Sequence, residues 1–205
     1  MSADQQTIVT YDQAARAMAD HFQNYSDGVI KEEIELALHL AGDPKQPRIV
    51  EIGCGAGKDA AALVKLAGWY EGFDPSVGLL DIARSTVPGA NFVQADALSY
   101  DYPENLDIVF AFASMLHLGK KDFANTCHKI AAALKPGGVA CMVLKEADSY
   151  TEQLQEDEFG KRLFYLYTPS LVRELAGEAF EQVYENHELV GPQQKRWFTI
   201  VLRKI

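Results

Sequence analysis

Residues 49–63 read IVEIGCGAGKDAAAL, with glycine at 53, 55 and 57. Glycine in an ordered element costs about 0.5–1 kcal/mol relative to alanine, so such a cluster reports a conformational need of the backbone. Ile49, Val50 and Ile52 ahead of it are β-branched and apolar, the composition of a buried strand. Ala60, Ala61, Ala62 and Leu63 behind it are strong helix formers. The stretch predicts strand, tight turn and helix. A helix N-terminus reached through a glycine turn offers free backbone N–H groups to a ligand.

Outward from this corner the chain alternates. Strand 48–52 leads to a helix over 56–67, and strand 69–73 leads to a helix from its N-cap Ser76 to Ser85. Strands follow at 90–94 and 107–113. A helix over 120–134 then ends in Lys-Pro-Gly-Gly before the apolar strand 139–144. Apolar strands alternating with helices predict an α/β fold whose parallel sheet is covered by helices on both faces. Thr168 and Pro169 cap and open a helix running to Ala176. Two strands, 180–189 and 197–204, are joined by the short VGPQQK and must run antiparallel. At the other end, Tyr11, Ala14, Ala15, Met18 and Phe22 lie at helical spacing. A second helix from Asp27 to Ala41 carries Ile30, Ile34, Ala37, Leu38 and Ala41 on one face and stops at Gly42 and Pro44. The acidic stretch 146–159 reads as an irregular flap.

The 205 residues are enough for one domain, a helical cap over 1–45 on a core over 46–205. Hydrophobic and charged contents of 48% and 23% are those of a soluble globular protein. No apolar run approaches the roughly 20 residues of a membrane helix. The opening MSADQQTIVTYDQ lacks the basic-then-apolar pattern of a signal peptide, so the expected location is cytoplasmic. Cys54, Cys127 and Cys141 are odd in number and widely spaced, which reads as reduced thiols and not as a disulfide frame or zinc site. A net charge of −10 with scattered Lys and Arg argues against a nucleic-acid partner. No His/Asp/Glu constellation has metal-ligand spacing.

A dinucleotide turn wants G-x-G-x-x-G, and the third glycine's place is taken by Lys58. The pattern here is Glu51-x-Gly53-x-Gly55-x-Gly57. With EIGCGAGKDAAAL, YEGFDPSVGLLDIAR, FVQADALSY, LDIVFAFASMLHL and ALKPGGVACMVL in that order, the chain resembles the class I (Rossmann-like) S-adenosylmethionine-dependent methyltransferases of small-molecule type over about residues 11–205. The resemblance implies a seven-stranded, mostly parallel sheet of order 3-2-1-4-5-7-6 with strand 7 antiparallel. It implies a cofactor site at Gly53, Cys54, Gly55 and Gly57, with Asp74 and Pro75 at the ribose, Asp96 and Ala97 at the adenine, and Ala113 near the sulfonium. Independently, a carboxylate ending the strand beside the glycine turn suits a vicinal diol, because it accepts twice. Glu51 either meets the methionyl ammonium through water or buttresses the loop.

For the acceptor, Met115 ends strand four either as core filler or as a substrate contact. His117 is a candidate base, since its ordinary pKa lies near neutrality, or a structural turn residue. Tyr11 either packs in the core or, as in similar enzymes, reaches the methyl centre from a lid helix. Lys145, Arg162 and Tyr165 are expected around the substrate, Arg162 as a clamp on a carboxylate. The function expected is methyl transfer to an O or N of a small molecule, leaving S-adenosylhomocysteine, by a monomer or homodimer and without metal. The alternatives are a methyltransferase of protein or RNA, and a non-catalytic S-adenosylmethionine-binding protein. Against the first, no Asn/Asp-Pro-Pro-Tyr tetrapeptide follows strand four, where FASMLHL stands. An NAD-dependent oxidoreductase is disfavoured by the glycine spacing and by the lack of Tyr-x-x-x-Lys.

Overall fold

A computed structural model describes residues 3–23, 29–191 and 193–205. Strand β1 (Arg48–Ile52) is an inner strand of a seven-stranded sheet, third from one edge, and all but its first residue is buried. β2 (Trp69–Asp74) and β3 (Asn91–Gln94) extend the sheet to one side, and β4 (Leu106–Phe112) and β5 (Leu134–Lys145) to the other, all parallel. Chain order reverses between β1 and β4, so a crevice opens above their C-terminal ends. Helices α4 (Ala60–Leu66), α5 (Val77–Thr86) and α6 (Lys120–Ala133) are the crossovers. Ser76 caps α5, accepting from the Leu79 N–H at 3.1 Å. α4 starts later than expected because Gly53, Gly55 and Gly57 all have positive φ, which an α-helix does not admit.

The helix α7 (Pro169–Ala176) begins at its Thr168 cap as the sequence predicts. β8 (Phe180–Val190) and β9 (Lys195–Lys204) form the closing antiparallel pair, and β9 lies antiparallel against β5. The order is β3-β2-β1-β4-β5-β9-β8. The last two strands are the eighth and ninth of the chain, not the sixth and seventh. The segment read as a flap accounts for the difference: it is half of a separate antiparallel hairpin, β6 (Thr151–Asp157) with β7 (Gly160–Leu166). β6 is mostly solvent-exposed and so shows no apolar alternation. What fixes it is the turn, where the Asp157 carboxylate accepts from the Phe159 N–H at 3.1 Å and Gly160 takes φ +120°.

Two apolar layers hold the sheet. One, on the α6 and α7 side, includes Phe73, Phe123, Ile130, Met142 and Phe198. The other includes Ile49, Leu63, Leu80, Phe110 and Val201, and packs against Ile34 and Ala37 of α3 (Val29–Leu40). The side chain of Ile30 and the residue Asp27 lie outside the described residues. The single N-terminal helix expected over 11–22 is instead two, α1 (Ala3–Gln13) and α2 (Ala15–Gln23), with a turn at Ala14. Asp12 anchors that junction, its carboxylate accepting from the Gly78 N–H at 2.7 Å and the Ser76 hydroxyl at 3.1 Å. Ala15, Met18 and Ala19 are buried, but Phe22 stays 42% exposed. α1 is strapped to β7: the Thr10 hydroxyl donates to the Lys161 carbonyl at 2.7 Å and the Leu163 N–H to the Thr7 hydroxyl at 2.8 Å.

Candidate active site

The crevice is a cavity of about 1000 Å³ between the sheet's C-terminal edge, α1, α2 and the hairpin. Its floor is the glycine turn. The Gly53 and Cys54 N–H groups both donate to the Phe73 carbonyl, at 2.8 and 3.0 Å, which locks the turn to β2. A side chain at Gly53 would put its Cβ 2.4 Å from the Ser114 Cβ, whereas one at Gly55 would meet nothing within 4 Å. Gly53 therefore lets two strand ends meet, and Gly55 leaves the space above the turn open. Gly57 does not line the cavity; it gives close passage to Ala83 of α5.

Asp74 ends β2 beside that open space. Its carboxylate accepts from the Gly55 N–H at 3.1 Å and the Ser76 N–H at 2.9 Å, one bond to each oxygen. An ionised carboxylate has about four acceptor positions, so capacity for two more bonds remains. Burial pushes its pKa up to about 6, against the pull of those two N–H groups. Asp96 accepts from the Leu98 and Ser99 N–H groups at 2.8 and 2.9 Å and caps the following turn. Burial opposes, but the Ser99 and Leu98 N–H groups hold Asp96 below the ordinary carboxylate range. Cys54, Pro75, Asp96 and Ala97 all line the cavity, the Cys54 thiol pushed upward by burial.

Glu51 is placed elsewhere. Its carboxylate accepts from the Tyr70 hydroxyl at 2.5 Å inside the sheet, does not line the cavity, and is raised to about 8 by burial with Asp59 and Asp74 nearby. Its side-chain bond to Tyr70 ties β1 to β2. Across the crevice Ala113, the residue after β4, has φ +51°, a left-handed conformation costly for a residue with a Cβ. Ser114 follows, its buried hydroxyl without a hydrogen-bond partner among the described residues. Met115 and His117 stand on a single 3-10 turn, Met115–His117.

The ring of His117 is bonded at both nitrogens. Nδ1 is 2.6 Å from the Leu163 carbonyl, which only accepts, so Nδ1 carries the proton and Nε2 accepts from the Tyr11 hydroxyl at 2.9 Å. Burial, reinforced by the Lys145 and Arg162 charges, pushes its pKa down to about 4 against the Leu163 carbonyl. Neutral, weakly basic and spoken for at Nε2, His117 orients Tyr11. Tyr11 lies near the end of α1, not at a helix start, and burial raises its pKa despite Arg162.

The hairpin supplies the far wall. Side chains alternate along β7, so Arg162 and Phe164 face the cavity while Tyr165 turns away to stack with Tyr150 at 6.0 Å. Tyr165, expected around the substrate, is absent from the cavity lining. The Arg162 guanidinium pairs with Asp157, and its Nε has no hydrogen-bond partner among the described residues. The Lys145 ammonium stands 3.4 Å above the centre of the Phe164 ring. Phe159, Asp157 and Trp197 are cavity residues that the sequence reading missed. The signal for most of them was the polar-strand, DEFG-turn, strand pattern over 151–166.

Residues 49–138 match a family model described as a methyltransferase domain. The fold, a seven-stranded mostly parallel sheet with helices on both faces, is shared with solved methyltransferases. A methyltransferase of Leishmania major superposes with a TM-score of 0.79 at 15% identity, over 98% of this chain and 83% of that one. The 1,6-didemethyltoxoflavin-N1-methyltransferase of Burkholderia thailandensis, solved with its substrate and S-adenosylhomocysteine, gives 0.75 at 16% identity over 98% and 88%. Among curated proteins, the trans-aconitate 2-methyltransferase of Rhodopseudomonas palustris strain BisB18 is 32% identical over 132 residues, 62% of this chain and 50% of that protein. That of strain BisA53 is 32% identical over 115 residues, 54% and 43%. The chain spans about half the length of the curated relatives it matches. The matched domain holds the glycine turn, Asp74, Asp96 and Ala113 to His117, while Tyr11, Lys145 and Arg162 fall outside it.

Proposed function

We propose that this chain, as one domain over residues 1–205, binds S-adenosylmethionine and transfers its methyl group to an O or N of a small molecule. The observation that carries the reading is the Asp74 carboxylate, fixed by two N–H groups and facing open space above Gly55. When bound, the cofactor supplies an electrophilic methyl carbon on a sulfonium and leaves as S-adenosylhomocysteine. Asp74 accepts from the ribose hydroxyls, with Pro75 beside it; Asp96 and the Ala97 N–H meet the adenine; Gly53, Cys54 and Gly55 admit the chain's backbone to close range. Ala113 and Met115 bound the point of transfer. Tyr11, aimed by His117, directs the acceptor, and the surrounding rings exclude water, so that the rate comes mainly from positioning. The names of the trans-aconitate relatives support a small-molecule acceptor.

Incubation with S-adenosylmethionine carrying a labelled methyl group, over a panel of small carboxylic acids, phenols and amines, tests this. Label is expected in a small product, with S-adenosylhomocysteine formed in equal amount; label confined to protein or RNA would reject the small-molecule reading. Tyr11→Phe should lower turnover on the order of 100-fold if its hydroxyl bonds the acceptor in the transition state, with S-adenosylhomocysteine affinity unchanged. Asp74 also sets a pH dependence. The ionised form is the better double acceptor, so S-adenosylhomocysteine affinity at pH 5 should be on the order of tenfold below that at pH 7.5, given a carboxyl raised to about 6. The sign for stability is opposite: a folded-state pKa above the unfolded one makes the empty protein lose stability as pH rises through about 6.

A further inference from the structure

The acceptor end of the cavity lies between the ends of β4, β5 and β9, the hairpin and Tyr11. Two cations meet there. Arg162 is 5% exposed, pairs with Asp157, and keeps its Nε without a partner among the described residues. Lys145 makes no ion pair among the described residues; its ammonium sits 3.4 Å from the Phe164 ring centre and 5.8 Å from that of Trp197. Arg162 also stands against rings, 5.4 to 5.7 Å from Phe164, Tyr11 and Phe159. Burial, with Lys195 and Arg162 near, pushes Lys145 down to about 8, so it remains mostly charged at neutral pH. Lys145 and Arg162, with Lys195 near, face the Asp157 carboxylate in a partly dry aromatic chamber, where unpaired positive charge is expensive.

From this we infer that the acceptor is a planar carboxylic acid, its carboxylate completing the Lys145–Arg162–Asp157 cluster and its flat body lying against the rings. The inference rests on the methyltransferase reading and narrows it. One carboxylate can meet Lys145 and Arg162 together. A tricarboxylate such as trans-aconitate brings three, and the other charges it would meet include Glu33, Glu158 and Glu188, which line the same cavity, with Lys195 the further cation there. Ring faces reward a conjugated body that an aliphatic chain cannot match.

The test is titration of the S-adenosylhomocysteine-loaded protein with three probes: cinnamate, its uncharged amide, and trans-aconitate. Cinnamate is expected to bind at least tenfold more tightly than either. Lys145→Met and Lys145→Gln, each checked for unchanged S-adenosylhomocysteine affinity, should bring cinnamate and its amide to within about threefold, the loss of a charge-assisted contact. Trp197→Leu should weaken cinnamate and amide alike. Amide binding equal to cinnamate, or trans-aconitate binding as tightly, overturns the inference while S-adenosylhomocysteine still binds. Failure of S-adenosylhomocysteine to bind at all overturns the methyltransferase reading, and the acceptor inference with it.

Discussion

Titration of the Asp74→Ala variant with S-adenosylhomocysteine is expected to show affinity lowered by two orders of magnitude or more. Two hydrogen bonds to a charged acceptor contribute about 1.5–3 kcal/mol each, so losing both costs on the order of 3–6 kcal/mol. The variant also strips the Gly55 and Ser76 N–H groups of their acceptor, which loosens the glycine turn itself. Glu51→Gln is the informative contrast. Glu51 bonds Tyr70 inside the sheet and does not line the cavity, so its variant should hold affinity within about threefold, since a buried neutral amide still accepts from the phenol. Equal losses in the two variants would mean that both act through the fold.

The glycine turn gives the second large effect, and here two neighbouring substitutions separate folding from binding. Gly53→Ala forces a Cβ to 2.4 Å from the Ser114 Cβ at φ +68°. The left-handed conformation costs roughly 1–2 kcal/mol and the overpacking roughly 1–3 more. For a domain of this size that lowers the melting temperature by roughly 5–15 °C. Gly55→Ala bears only the conformational cost, about 1–2 kcal/mol, because its Cβ meets nothing in the protein. Yet that Cβ enters the space where the cofactor is to lie, so binding should fall at least as far as in Gly53→Ala while the melting temperature falls less, by roughly 2–8 °C. Thermal melts paired with calorimetry decide between these outcomes.

The core of the fold was legible because its physics is local. Val50 and Ile52 are apolar on a strand buried on both faces, the three glycines need positive φ, and Thr168-Pro169 caps a helix wherever it stands. The floor of the cavity was legible for the same reason, since turn and Asp74 lie in one strand-turn-helix unit and its neighbour. The far wall was not. β6 shows no period because water covers most of it, and the Arg162 and Phe164 side chains are told from Tyr165 only by strand alternation along β7. Tyr11 could be placed at the site only through long-range bonds, those of Thr10 to Lys161 and of Tyr11 to His117, which no local pattern records. Reading 11–22 as one amphipathic helix missed the turn at Ala14 because Asp12 leaves for Ser76 and Gly78, a partner 64 to 66 residues away.

The account turns on which nucleotide the glycine turn receives, and one calorimetric experiment on the unmodified chain asks that directly. Titrated separately with S-adenosylmethionine and with NAD at pH 7.5, the protein is predicted to bind the first with a Kd on the order of micromolar, about −8 kcal/mol, and to give no heat with the second. Binding of NAD, or silence with S-adenosylmethionine, would contradict the central claim and leave the turn at Gly53 and Gly55 to another ligand.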